Sequence, residues 1–346
     1  MKIWLVSTEL KTGKGGISTS VFGYYEELLK NNIDVELVTS HSKSSKWILW
    51  LSSIIVMSKV KKDDFIWLHP GDWFSLLRKI SIAIVGKLFG ANVIFHYHDA
   101  MDDSLCKFHY KFLVRISLLI ADHAIFLTPH GVDLIKKNNI PLNDTAIHVI
   151  PNPLDSNLVL NVRAGKLKPK MDESITILCM SRLEPGKGVE QAILSAKFFQ
   201  NNAKLLIAGD GSLLTELKIL VEEQGLSEKV HFLGWVDYEE KVELLNSSHI
   251  FILPSDFDSF GMCFVEAMSA GLPVIALNRK ATPYVIRDKY SGILSDTSEP
   301  YLLYNAIKNI SSNYEYYSCN ARQHVINNFM PDLIIRKFIS VIRGDK

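Results

Sequence analysis

Short apolar runs alternate with longer segments of helical period along the whole chain, and the alternation occurs in two series. KIWLVST (2–8), IDVELVT (33–39), DFIWLHP (64–70), NVIFHYHD (92–99), HAIFLTP (123–129) and AIHVIPNP (146–153) predict strands buried on both faces. The first is followed by the glycine loop TGKGG (12–16) and the helical segment ISTSVFGYYEELLKN. A basic stretch without periodicity, NVRAGKLKPKMDES (161–174), closes the series. The pattern then restarts with ITILCMS (175–181), AKLLIAG (203–209), KVHFLGW (229–235), HIFILPS (249–255), LPVIAL (272–277) and SGILS (291–295). Strands this apolar, joined by helices, argue for parallel sheets covered on both faces. The expected fold is therefore α/β, with two doubly wound units at 1–165 and 166–328. MPDLIIRKFISVI (330–342) predicts a helix opening on Pro331, within a terminal segment 329–346 that packs back on the first unit. Ligands of such sheets sit at the carboxyl ends of strands, so a cleft between two facing sheets is the expected site.

Composition narrows this reading. The 346 residues suit two domains, and 47% hydrophobic with 22% charged residues describe a folded chain. A net charge of +1 gives no electrostatic basis for a nucleic-acid partner. Cys106, Cys179, Cys263 and Cys319 form no CxxC pair, which argues against zinc and disulfide frameworks and for a reducing cytoplasm. MKIWLVSTEL lacks the long apolar region of a signal peptide, and WILWLSSIIVM (47–57) is too short to span a bilayer. The expected protein is soluble or rests on a membrane surface. Lys43, Lys46, Lys59, Lys61 and Lys62 flank the apolar stretch holding Trp47 and Trp50. That composition suits either an interfacial helix on anionic lipid or a core helix with solvated ends.

Three loops carry candidate chemistry. In KGGIST (14–19), Gly15 and Gly16 let the backbone approach a ligand at a helix start that favours an anion. In SRLEPGKG (181–188), Arg182 and Lys187 follow a strand and suit a diphosphate whose charge must be neutralised as it leaves. In SDFDSFGMCFVEAMSAG (255–271), Asp258 precedes a helix and Glu266 lies inside it, with seven residues between them. These acids hold either sugar hydroxyls or, through Asp256 and Asp258, a metal.

GGIS near the start, SRLEPGKG, AGDGS (208–212), FLGWV (232–236) and PSDFDSFGMCFVEAMSAGLPVIA, in this order and spacing, resemble the family 4 glycosyltransferases of the GT-B fold. VIPNPLD (149–155) resembles the family's Ile-Pro-Asn segment before the linker. The resemblance implies two Rossmann-like domains and a retaining transfer of sugar from a nucleotide-sugar, a UDP-sugar, to a glycan or lipid-linked acceptor. The family's spaced acids fall on Asp258, which would contact the donor sugar, and Glu266, which would bond the ribose. Its basic pair falls on Arg182 and Lys187. Gly209, Gly211, Val236, Phe260 and Gly261 fall on donor-side motifs. The histidine near the reacting sugar best matches His98, with His96 as the alternative, and His69, His96 and Asp99 fall on the acceptor side.

Three positions depart from the family pattern. Asp258 is one methylene shorter than the usual Glu, Ser259 replaces a glycine, and Tyr284 of RKATPY (279–284) stands where an acid is usual. The resemblance implies no metal and no cofactor besides the donor substrate, since Arg182, Lys187 and helix dipoles can neutralise the diphosphate. Two other functions use the same fold: a nucleotide-sugar epimerase and a non-catalytic partner subunit.

Overall fold

A computed structural model describes residues 2–9, 16–41, 46–98, 101–162, 174–200 and 202–344. The chain divides into two compact units, 1–155 with 330–346, and 156–329.

The first unit contains β1 (Ile3–Thr8), α1 (Gly16–Lys30), β2 (Val35–His41), α2 (Lys46–Val56), β3 (Phe65–Leu68), α3 (Trp73–Leu88), β4 (Asn92–Tyr97), α4 (Phe108–Ile120), β5 (His123–Phe126), α5 (Pro129–Lys137) and β6 (Ala146–Val149). Its sheet is parallel, in the order β2-β1-β3-β4-β5-β6. Side chains alternate across a strand, so one sheet feeds two cores. Val6, Ile66, Leu68 and Phe95 meet residues of α3 and α4 such as Leu76, Ile80, Val114 and Leu118. Leu5, Trp67, Ile94 and Ile125 meet Val21, Tyr24 and Leu28 of α1 on the other face.

The second unit begins with α6 (Ser156–Asn161) and β7 (Ile175–Met180), followed by α7 (Val189–Ser195), β8 (Ala203–Ala208), α8 (Leu214–Glu223), β9 (Val230–Gly234) and α9 (Tyr238–Ser247). It continues with β10 (Ile250–Leu253), α10 (Met262–Ser269), β11 (Val274–Leu277), α11 (Thr282–Val285), β12 (Gly292–Ser295), α12 (Pro300–Ser312) and α13 (Tyr314–Asn328). Its parallel sheet runs β12-β11-β10-β7-β8-β9, the strand order of nucleotide-binding doubly wound sheets. Every residue of β10 and β11 is buried, as their unbroken apolar runs require.

One boundary differs from the composition. The unit division falls between Asp155 and Ser156, about ten residues before the expected one at 165/166 and ahead of the basic stretch. The reason is tertiary: Asn161 of α6 bonds Tyr238 and accepts from Asn246 of α9. The last helix, α14 (Pro331–Arg343), returns to the first unit and buries Ile334, Ile335, Phe338 and Ile342 in the α1 face. Its Phe338 stacks on Trp67 of β3, with ring centroids 3.8 Å apart. No helix among the described residues is long and apolar enough to cross a membrane.

Candidate active site

In the second sheet the strand order reverses between β7 and β10, and ligands of open α/β sheets collect beyond the carboxyl ends of strands at such a point. The loops leaving those two strands carry Arg182, Lys187, Asp256 and Asp258. They are stitched together by Asp256 N–H donating to the Gly186 carbonyl at 2.8 Å and by Ser255 Oγ donating to the same oxygen at 3.3 Å. Gly188, at φ +69°, passes so close to the Pro254 carbonyl that any side chain would collide with it. The strain of a left-handed backbone is avoided only by glycine here.

Lys187 Nζ lies 2.7 Å from Asp258 Oδ1, with both side chains largely buried. The same ammonium sits 5.4 Å from the centre of the Phe257 ring. The other oxygen, Asp258 Oδ2, is buried with no hydrogen-bond partner among the described residues. A buried carboxylate oxygen without a donor is costly, and it marks a place where a hydroxyl can bind. Glu266, in the second turn of α10, is 8% exposed and is held at Oε1 by Lys241 Nζ of α9 at 2.8 Å. Between the two acids in sequence lies Cys263. Its thiol is pushed well above its usual value, first by burial and then by Asp258 and Glu266, with Lys187 acting the other way. One thiol thus feels both carboxylates and the lysine, which groups the three at one end of the sheet.

Arg182 is exposed at the end of β7 and forms no ion pair among the described residues. Gly209 and Gly211 follow β8, but what demands glycine there is the chain itself. A Cβ at Gly209 would meet the Ser181 carbonyl, and one at Gly211 the Leu183 carbonyl. Val236 is half-buried just before the capping box of α9. Phe260 is buried edge-on against Phe329, a packing role, while Gly261 is the N-cap of α10. Tyr284 lies exposed in α11. Sequence reasoning missed Lys241, which lies on another helix 25 residues before Glu266, and Arg279, which pairs with Asp256. Nothing in the local sequence signals either partnership.

In the first unit the order reverses between β1 and β3. Gly16 opens α1, whereas Gly15 and Asp99 lie outside the described residues. His69, His96 and His98 are all buried, and His69 Nδ1 lies 2.8 Å from His98 Nε2. Trp67 packs 4.6 Å from the His69 ring, so the Phe338–Trp67 stack from α14 supports this cluster. Burial holds His98 down to about 3 and lowers His69 and His96 well below their usual range. The rings are therefore neutral at pH 7. Their nitrogens lie within 4.8 Å of one another, a spacing a metal ion could bridge. However, among the described residues the charges acting on them are their own and that of buried Lys79, with no carboxylate to offset a cation. The hydrogen-bonded pair is the reading the geometry favours.

A folded-state value below the free histidine value means that the unfolded chain binds more protons between pH 6.5 and about 3. The stability contributed by neutral His98 is thus complete above pH 6.5 and is lost as pH falls toward 3. Relative to the native protein, His98→Phe should flatten this acid limb by up to about 1.4 kcal/mol per pH unit. Urea unfolding of both proteins at several pH values checks it, and parallel curves would refute it.

The fold is that of the GT-B glycosyltransferases. A crystal structure of HepE from Anabaena, in complex with UDP and glucose, superposes with a TM-score of 0.78 at 18% identity over 99% of this chain and 100% of that one. Residues 165–328 match the family described as Glycosyl transferases group 1. A UDP-Gal:α-D-GlcNAc-diphosphoundecaprenol α-1,3-galactosyltransferase of Escherichia coli is 24% identical over 294 residues, 81% of this chain and 75% of that protein. An uncharacterized glycosyltransferase of Methanocaldococcus jannaschii is 29% identical over 177 residues, 50% of this chain. The chain spans only 45% of that archaeal protein's length.

Proposed function

We propose that this protein is a retaining, hexosyltransferase-type member of glycosyltransferase family 4. It moves a sugar from a UDP-sugar to a hydroxyl of a glycan or lipid-linked glycan, as in surface polysaccharide synthesis. The observation that carries the reading is Asp258: one oxygen is fixed by Lys187 at 2.7 Å, and the other is buried and unpartnered. A sugar hydroxyl supplies the missing donor. Lys187, so placed, also faces the diphosphate attached to that sugar, with Arg182 as a second cation. The bond from the acceptor oxygen to the anomeric carbon forms as the bond to the diphosphate breaks. The acceptor's proton passes to the departing phosphate oxygen on the same face. Glu266, aimed by Lys241, accepts from the ribose hydroxyls. His98, neutral and steadied by His69, serves as a hydrogen-bonding group on the acceptor side rather than as a cationic acid.

The names of the relatives support the donor and acceptor classes: the Escherichia coli protein is named for UDP-Gal and a diphosphoundecaprenol-linked sugar. A lipid-linked acceptor puts the enzyme at the cytoplasmic face of a membrane, as a peripheral protein. The test is a panel of nucleotide-sugars assayed for binding and for slow hydrolysis without acceptor. Hydrolysis of one UDP-sugar is expected; no binding and no hydrolysis across the panel would favour a non-catalytic subunit.

Turnover should need no divalent metal. Asp256 and Asp258, the two acids that a metal-dependent site would place on one ion, instead pair with different cations, Arg279 and Lys187. EDTA should leave the rate unchanged; a rate abolished by the chelator and restored by manganese would contradict this assignment.

A further inference from the structure

The first unit has an outer face that the reaction does not use. In α2, Trp50 and Ile54 turn inward to the core, and Trp50 Nε1 donates to Ser81 Oγ of α3 at 2.8 Å. Of the two tryptophans, Trp50 thus belongs to the core side and Trp47 to the surface. The opposite side of the helix carries Trp47, Ile48, Leu51 and Ile55, each at least 60% exposed. Their spacing of four makes one continuous strip along the helix. The strip continues sideways through ring contacts: Trp47 to Phe74 at 6.0 Å, Phe74 to Trp73 at 5.4 Å, and Trp73 to His109 at 5.5 Å. Beside His109, Phe108 is 83% exposed and stacks on the exposed Phe112. These rings stand at the starts of α2, α3 and α4, which follow the carboxyl ends of β2, β3 and β4. His69 and His98 lie at that same edge.

Water-exposed apolar surface of this extent marks an interaction site. Its chemistry selects the partner. Tryptophan and phenylalanine suit the headgroup level of a bilayer, where a ring can be half wet and half buried. The far end of α2 runs into SKVKKD (58–63), with Lys59, Lys61 and Lys62 exposed against one acid, Asp63, and none of the three lysines paired with a carboxylate among the described residues. Lys107, at the start of α4, is also exposed. An apolar strip fringed by unpaired lysines complements anionic lipid better than it complements a second copy of itself, which would bring lysines against lysines. At 11 residues α2 cannot span a bilayer, so it would lie in the interface.

We propose that the outer face of α2, extended by the aromatic ridge across α3 and α4, docks the protein on an anionic lipid surface. The docking stands on this face alone; that it brings a lipid-linked acceptor to the His69–His98 edge rests on the proposed function. The full chain should float with vesicles containing phosphatidylglycerol, and progressively less so as salt rises. Leu51→Glu with Ile55→Glu should lower that partition at least tenfold, and Lys59→Glu, Lys61→Glu and Lys62→Glu together should do likewise. Thermal midpoint and UDP affinity should be unchanged in both. No flotation at low salt, or equal flotation of the variants, overturns the proposal. So does a dimer in light scattering that the two glutamates dissolve while vesicle binding persists. Donor hydrolysis measured without vesicles separates the two claims: flotation with no hydrolysis sinks the activity, and hydrolysis with no flotation sinks the docking.

Discussion

Lys187→Ala is expected to lower turnover by about 2–4 kcal/mol of transition-state stabilisation, the scale for removing one preorganised donor from developing charge. The same change should also weaken the fold. Lys187 and Asp258 are a largely buried pair at 2.7 Å, and Asp258 Oδ2 already lacks a donor, so removing the ammonium leaves a buried carboxylate with little compensation. About 2–3 kcal/mol of stability should be lost, somewhat under the figure for fully buried pairs. Arg182→Ala provides the control. It should slow turnover in the same direction while leaving stability within about 0.5 kcal/mol, because its side chain is exposed and forms no ion pair among the described residues. Steady-state kinetics and urea unfolding of both variants read the two effects separately. Normal turnover in Lys187→Ala would remove the diphosphate role.

The contrast between these residues shows what the sequence carries. All twelve strands among the described residues lie where apolar runs predict them, most plainly β3, β10 and β11, in which every residue is buried and no polar position blurs the signal. The loops with Lys187 and Asp258 were legible as strand-end loops, and their convergence follows from β7 and β10 being neighbours across the reversal. Partnerships across elements were not legible. Lys241 reaches Glu266 from α9, and its place there is fixed by helix packing rather than by any motif. His69 and His98 meet because β3 and β4 run in parallel register, with Leu68 opposite Phe95, so the pair exists only once the sheet forms. Phe260 shows the converse. Its motif position suggests a donor contact, yet its ring packs on Phe329, whose place at the end of the second unit no local pattern reveals.

The second large effect concerns the two acids. Glu266→Ala should weaken binding of a nucleoside diphosphate by about 1–3 kcal/mol, since the ribose hydroxyls lose an aligned acceptor and Lys241 loses its carboxylate. Lys241→Met should reproduce part of that loss by freeing the Glu266 side chain. Asp258→Ala should behave differently: turnover falls steeply while diphosphate affinity hardly changes, because its open oxygen waits for the sugar. Asp258→Glu restores the family residue but moves a carboxylate about one bond further out, and a misplacement of about 1 Å can cost on the order of a hundredfold in rate.

Calorimetric titration of UDP into the native protein, Asp258→Ala and Glu266→Ala, without divalent metal, is the most direct test that the β7–β10 end of the second unit holds a nucleotide-sugar. The account predicts binding to the native protein, nearly equal binding to Asp258→Ala, and a loss of roughly five- to a hundredfold for Glu266→Ala. Equal losses in the two variants, or no binding to the native protein, would contradict it.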